Sequence, residues 1–505
     1  MIHYSSTAID LSFTGNLNQG GPSHDPQHQR PLIHILDDYS LLNIFSLSRP
    51  AILDESEVDD SQFLEGGEWN RERWWYSFVQ VCHRWRHIVL ESASHLQLSL
   101  VCARGTPVAD MLAHSPPLPL IIDHLDQNHD LTAEDEEGII LALQHRDRVR
   151  RIRLRKSFLK LQKLVNALDG EFPILEYLYV MPQQYRRPIL GHDVSLNLPE
   201  TFRAPHLCRL LLSRFAIPIG SPILTTMGNL VTLSLSLLPP FAYFRPSALL
   251  QRLSLMPQLE TFGIAFNSYY PSRAVERQWL RTPIRTRVTL PNLRWLGFKG
   301  TSAYLETLLP RLTIPLLEKL QVYFFNQLTY PIPHLQRLMS TAGNLRPNTT
   351  TLTFRKEHLF VMAYPHKGAR MFTLSMELSG RHLDWQVAST AQVFQTLGTV
   401  FSAVEHLTLT YDRHLISSEW NNEAERTQWR DLLGLFVNAK TLFVDGEFVG
   451  QLSHALHPGE GESPTELLPE LQELSYSATA SSLNVFTPFA DARQKAGRPV
   501  TMNHL

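Results

Sequence analysis

At 505 residues, with 43% hydrophobic and 19% charged side chains, the chain can build either a large core or a repeating array beside a small domain. Its 46 basic and 48 acidic residues leave a formal charge of −2, which argues against a global electrostatic grip on nucleic acid or an anionic membrane. Cys82, Cys102 and Cys208 form no Cys-x-x-Cys pair, which suits a reducing interior and excludes a disulfide scaffold.

Residues 1–30 are rich in Gly, Ser, Asn, Gln, His and Pro without apolar periodicity, which predicts a disordered tail. Met1 to Gly21 lacks the basic start and apolar run of a secretory signal. No stretch approaches the ~18 uninterrupted apolar residues of a membrane span. A cytoplasmic or nuclear location is therefore expected.

Residues 31–95 predict a helical module. Leu41, Leu42, Ile44 and Phe45 crowd one side of a first helix that Leu36 introduces. Trp75, Phe78, Cys82, Trp85 and Val89 recur at steps of three and four, placing them on one face of a second helix. Between the two lies an insertion, residues 48–70, in which Asp54, Glu55, Glu57, Asp59, Asp60, Glu65 and Glu68 face one Arg49; it reads as a solvated loop. So little chain cannot bury that much apolar surface alone, so a partner or the rest of the chain must cover the remainder.

These two segments resemble an F-box, whose pattern runs Leu-Pro-x-x-x-Leu-x-x-Ile-Phe and then Val-Cys-x-x-Trp-Arg. Leu36, Leu41, Ile44 and Phe45 match the first half; Val81, Cys82, Trp85 and Arg86 match the second. Asp37 stands where the family has proline, and the acidic insertion separates the halves. With Trp74-Trp75-Tyr76 leading into the second half, the arrangement looks most like the F-box proteins abundant in mushroom-forming fungi. The resemblance implies docking of a Skp-type adaptor and cullin complex through Leu36, Leu41, Leu42, Ile44, Phe45, Val81, Cys82 and Trp85.

Beyond the module, Leu96–Leu100 and Leu118–Asp123 read as strands, with a short helix near Val108 to His114 between them and another running to His145. From residue 149 a template of an apolar anchor, a second apolar three on and a third two further repeats along the chain. Examples are Val149/Ile152/Leu154, Leu175/Leu178/Val180, Leu293/Leu296/Phe298 and Leu442/Val444 after Ala439. Thr349 replaces the anchor of a degenerate copy at Leu352/Phe354. Pro173, Pro205, Pro291, Pro315 and Pro469 lie just ahead of anchors, where a missing backbone donor costs a strand little. Helical patterns such as Phe158/Leu161/Leu164/Val165/Leu168 fill the intervals. One strand and one helix per repeat, each unable to bury its own apolar side, are stable only when stacked.

The expected fold class is therefore α/β: a small all-helical F-box-like module, then an irregular leucine-rich-repeat solenoid over residues 96–480 with a parallel concave sheet. Residues 481–505 are expected to form a cap or tail.

Alternation along each strand sends the residues between the buried ones to the solvent side. Arg151, Arg153, Arg155, Tyr177, Trp295, Lys319, Tyr323 and Arg355 are the candidates there for binding a protein substrate, since arginine forks and aromatic planes anchor recognition patches. An acidic or phosphorylated segment would suit them; a charged edge that only prevents aggregation is the plainer reading of the first three.

No phosphate loop, Gly-x-Ser-x-Gly or dinucleotide fingerprint appears, and His83/His87 and His454/His457 are too few to close a metal site. Neither a cofactor nor a metal is expected. The chain reads as a non-catalytic specificity subunit of a ubiquitin ligase, with an interaction scaffold unrelated to ubiquitin as the alternative.

Overall fold

The computed structural model describes residues 35–50, 72–125, 131–183, 195–226, 228–267, 283–325, 331–342, 345–356, 358–369, 372–379, 382–412, 424–459, 461–477 and 484–504. They fall into two compact units: one holds 35–50 and 74–97, the other 72–73 and the residues from 98 onward. The tail expected over 1–30 and nearly all of the acidic insertion lie outside the described residues.

The first unit holds helices α1 (Asp38–Leu47), α2 (Tyr76–Val79), α3 (His83–Glu91) and α4 (Ala93–Leu96). Asp37 shows why a non-proline is tolerated ahead of α1. Its backbone is extended (φ −69°, ψ 166°) and its carboxylate accepts from the Ser40 amide at 2.6 Å, capping a helix start that otherwise has four unpaired donors. That bond, with a second from the Ser40 side chain, holds the Asp37 carboxyl below the usual carboxylate range. Arg84 of α3 ties the same end down, donating to Asp38 Oδ1 at 2.8 Å and to the Leu36 carbonyl at 2.6 Å.

The continuous helical face expected from Trp75 to Val89 is broken. Cys82 is extended (φ −161°, ψ 170°) and forms the cap between α2 and α3. On a straight helix Phe78 and Trp85 would stand about 10 Å apart along the axis. The break instead brings their rings to 4.8 and 4.9 Å from the ring of Phe45. Packing three aromatics at one point outweighs two or three helical hydrogen bonds.

The second unit is a strand-and-helix solenoid. Its first strands are β1 (Leu100–Cys102), β2 (Leu120–His124), β3 (Val149–Lys156), β4 (Tyr177–Pro182), β5 (Arg209–Ser213) and β6 (Thr232–Leu238). There follow β7 (Thr261–Phe266), β8 (Val288–Thr289), β9 (Trp295–Gly300), β10 (Leu312–Thr313), β11 (Lys319–Phe324) and β12 (Thr349–Phe354). The last are β13 (His358–Tyr364), β14 (Leu374–Ser379), β15 (His406–Tyr411), β16 (Thr441–Val444), β17 (Glu473–Tyr476) and β18 (Thr501–His504). Sixteen join one sheet, in the order β1-β2-β3-β4-β5-β6-β7-β9-β11-β14-β13-β12-β15-β16-β17-β18, while β8 and β10 pair separately.

The apolar template becomes two buried rows. Register aligns Ile152, Leu178, Leu210, Leu233, Phe262, Leu296 and Leu320, and beside them Leu154, Val180, Leu212, Leu235, Ile264, Phe298 and Val322. Helices such as Phe158–Asn166, which buries Leu161, Leu164 and Val165, return over these rows. Each such side chain contributes about 1.5–3 kcal/mol by leaving water.

Two expectations are corrected. The strand expected at 96–100 starts later: Leu96 ends α4, Gln97 turns the chain in a left-handed conformation (φ 51°), and β1 begins at Leu100. The sheet is also not wholly parallel. Every neighbouring pair is parallel except the two made by β13, which runs antiparallel between β14 and β12. β12 and β13 form a hairpin in which the Arg355 amide donates to the His358 carbonyl at 2.9 Å. A hairpin needs only a few linking residues, whereas a parallel neighbour needs a crossover. Leu359, Val361 and Ala363 of β13 all point into the core. They match no forward template because the strand runs the other way.

Candidate interaction surfaces

In the first unit the eight expected adaptor-contacting residues separate by burial. Leu41 and Phe45 are fully buried and hold the helices together. Leu36, Leu42, Cys82 and Trp85 are half-buried. Ile44 and Val81 point outward, 42% and 58% exposed. Three further apolar side chains join them that the F-box pattern did not single out: Ile35, Tyr39 and Leu47, the last 87% exposed. Leu47 lies three residues after Ile44, on the same side of α1, a spacing visible in sequence but outside the matched pattern. Five of the eleven large apolar residues exposed among the described residues thus belong to this small unit. Beside them a shallow depression is lined by Asp38, Tyr39, Leu42, Arg84, His87 and Ile88.

In the second unit register decides which substrate-face candidates meet. Arg151, Arg153 and Arg155 of β3 stand opposite Tyr177, Tyr179 and Met181 of β4. Here burial and pairing consume much of the expected patch. Tyr177 is buried, Arg153 is buried against Asp123 of β2, and Arg151 meets Glu72 at 3.0 Å. Arg155 is half-buried. Arg355 sits at the β12–β13 hairpin, 2.9 Å from Asp412 and with its guanidinium 4.4 Å from the Phe360 ring centre.

Trp295, Lys319 and Tyr323 are brought together. Lys319 pairs in register with Trp295, and Tyr323 with Lys299, on the adjacent strands β9 and β11. The Lys299 ammonium lies 5.7 Å from the Tyr323 ring centre, and Gln321 donates to the Tyr323 hydroxyl at 2.9 Å. Lys299 and Gln321 belong to this cluster although neither was among the candidates. Phe360 and Met362, half-buried on the same side of β13, were missed with their strand.

Beneath the other side of β2 and β3 lies a buried polar group. His124 and Lys156 are almost fully buried, close to Asp135 at the first turn of helix Ala133–Gln144. Asp135 accepts from the Gly105 amide at 2.8 Å and from the Thr132 hydroxyl at 2.9 Å. Burial lowers the His124 imidazole to about 4 against the pull of Asp135, so it is neutral at physiological pH. Burial likewise pushes the Cys102 thiol up to about 12, which leaves it no nucleophile. Among the described residues no three His, Cys, Asp or Glu side chains are placed to hold a metal ion, and no helix is long and apolar enough to cross a membrane. The geometry offers surfaces for contact.

No protein-family model and no curated protein matches the chain. Among solved structures, it is similar to the leucine-rich repeat-containing protein LegL7 of Legionella pneumophila, at 12% identity over 79% of this chain and 98% of that one, with a TM-score of 0.25.

Proposed function

We propose that this chain is a non-catalytic substrate-recognition subunit of a cullin-type ubiquitin ligase. Its helical unit docks a Skp-type adaptor, and the face of its solenoid sheet turned away from the core holds a protein substrate. The observation that carries the reading is the exposed apolar set of the helical unit. Ile44 and Val81, two positions of the F-box pattern, face solvent while Leu41 and Phe45 of the same pattern are sealed inside. A helical cap with no partner has no reason to leave Ile35, Tyr39, Ile44, Leu47 and Val81 in water, whereas a docking surface does. The cluster of Phe45, Phe78 and Trp85 then serves as the rigid base on which that surface is displayed.

The test is co-purification with a Skp-type adaptor. Ile44→Asp combined with Val81→Asp changes only exposed positions, so the helices should keep their circular dichroism while adaptor capture drops at least ~100-fold, as expected for two central interface residues. Capture that survives the double change removes the reading. The chain would then be an interaction scaffold unrelated to ubiquitin.

A further inference from the structure

We infer that the open face around Trp295 takes an extended acidic stretch of a protein partner. The inference rests on the reading that this face holds the partner, and it names the chemistry that is held. The first observation is steric. Gly263 of β7 and Gly297 of β9 stand directly opposite each other. A Cβ on Gly297 would lie 2.2 Å from Trp295 Cη2, and one on Gly263 would lie 3.0 Å from Trp295 Cζ3. The benzo edge of the indole therefore lies down over two adjacent strands in the space two side chains have vacated. Neither glycine has a positive φ, so backbone geometry does not require them. Glycine weakens a strand interior, and here it lets a broad apolar ring lie along the sheet, half exposed.

The second observation is charge. Lys299 and Lys319 flank the indole through the register of β9 and β11, and Tyr323 adds a second ring. Across β3, β4, β5, β6, β7, β9 and β11, no described face position carries Asp or Glu. Acidic groups meet this face at its two ends, with Asp123 on Arg153 and Glu72 on Arg151 at β3, and Glu377 and Glu473 past β11, leaving the lysines around Trp295 between them. A cationic and aromatic tract bounded in this way complements a chain that alternates carboxylates with apolar or aromatic side chains. An extended segment crossing these strands at ~4.8 Å per strand needs about nine residues.

The probe is a fluorescein-labelled peptide of three Glu-Ala-Glu-Tyr repeats, read by anisotropy against the full chain. Its Lys-Ala-Lys-Tyr counterpart and a single-stranded oligothymidylate of equal charge serve as comparisons. The acidic peptide should bind, should weaken with added salt, and should exceed the basic one by at least ~10-fold. Trp295→Ala should weaken it roughly tenfold and Lys299→Glu with Lys319→Glu roughly a hundredfold, while Glu473→Gln at the far end changes it less than about twofold. Affinity unmoved by the Trp295 and lysine changes overturns the inference, and so does equal binding of the basic peptide. Tighter binding of the oligothymidylate assigns the face to nucleic acid and overturns it too. Adaptor capture and peptide binding measured side by side on the native chain keep the two readings apart. Absent capture with intact peptide binding removes only the ligase role, and intact capture with absent peptide binding removes only this site.

Discussion

His124 is held far from its free chemistry. On the core side of β2 it faces Asp135 and Lys156, with Ile122 and Leu154 as neighbours in the sheet, while Asp123 and Arg153 pair on the opposite side. Burial is the larger effect and Asp135 the lesser, so the ring titrates at about 4 in the fold against 6.5 when free. Between those values the unfolded chain binds a proton that the folded chain refuses. Stability is therefore complete above 6.5 and falls as pH drops from 6.5 toward 4, by about 3 kcal/mol in all. Urea midpoints at pH 7.5 and pH 5 should show this loss in the native sequence and a flatter dependence in His124→Gln. Equal slopes in both would place the pH sensitivity elsewhere. At the other end of the solenoid, Arg493 is fully buried and donates to the carbonyls of Leu468, Pro469 and Leu471 at 3.1–3.3 Å, stitching the last helix to the turn before β17.

At the scale of elements, the pairing of β7 with β9 shows a strand designed around a neighbour's side chain. An alanine Cβ at Gly297 would collide with the Trp295 ring at 2.2 Å. Gly297→Ala should therefore destabilise by about 1–3 kcal/mol, as overpacked sites do. In a Trp295→Ala background the same change should instead gain up to ~1 kcal/mol, because the methyl then only restores strand propensity. Chemical denaturation of the four proteins of this cycle reads the coupling, and purely additive effects would show that the glycine serves something other than the indole. The β12–β13 hairpin teaches the opposite lesson. Thr349, where the repeat lacks its apolar anchor, pairs with His406 on one side and Tyr364 on the other, at the point where the sheet admits an antiparallel strand. The lost anchor was legible in the sequence; the hairpin that exploits it was not.

For the molecule as a whole, stability in the repeat unit is a chain of nearest-neighbour interfaces, so its ends matter out of proportion to their size. At one end β18 pairs along β17. Phe486 and Phe489 of the segment leading into it are buried, and the Phe486 ring packs on Tyr476 at 5.1 Å. Removing residues 478–505 should bare the β17 edge together with Tyr476, Leu471 and Leu474. Such an edge templates pairing with other chains. Size-exclusion chromatography should show the truncated protein shifting to oligomers or aggregate, and a monodisperse monomer would contradict this role for the last strand.

The sequence by itself determined the buried half of this protein. Apolar spacing of three and two, proline lead-ins and helical periods specified where strands and helices form in most repeats, because burial acts on each residue locally and leaves its period in the chain. The same patterning marked Leu41 and Phe45 as apolar positions of a helix, but it could not separate them from Ile44, which shares their side of the wheel yet stands in solvent. Only the tertiary structure decided the other half. Register set Trp295 beside Lys319 and the β3 arginines far from both, spent Arg153 on Asp123 and Arg151 on Glu72, and turned the helix at Cys82 so that Phe78 and Trp85 meet one ring. These are contacts between residues distant in sequence, and no local period encodes which neighbour a strand will choose.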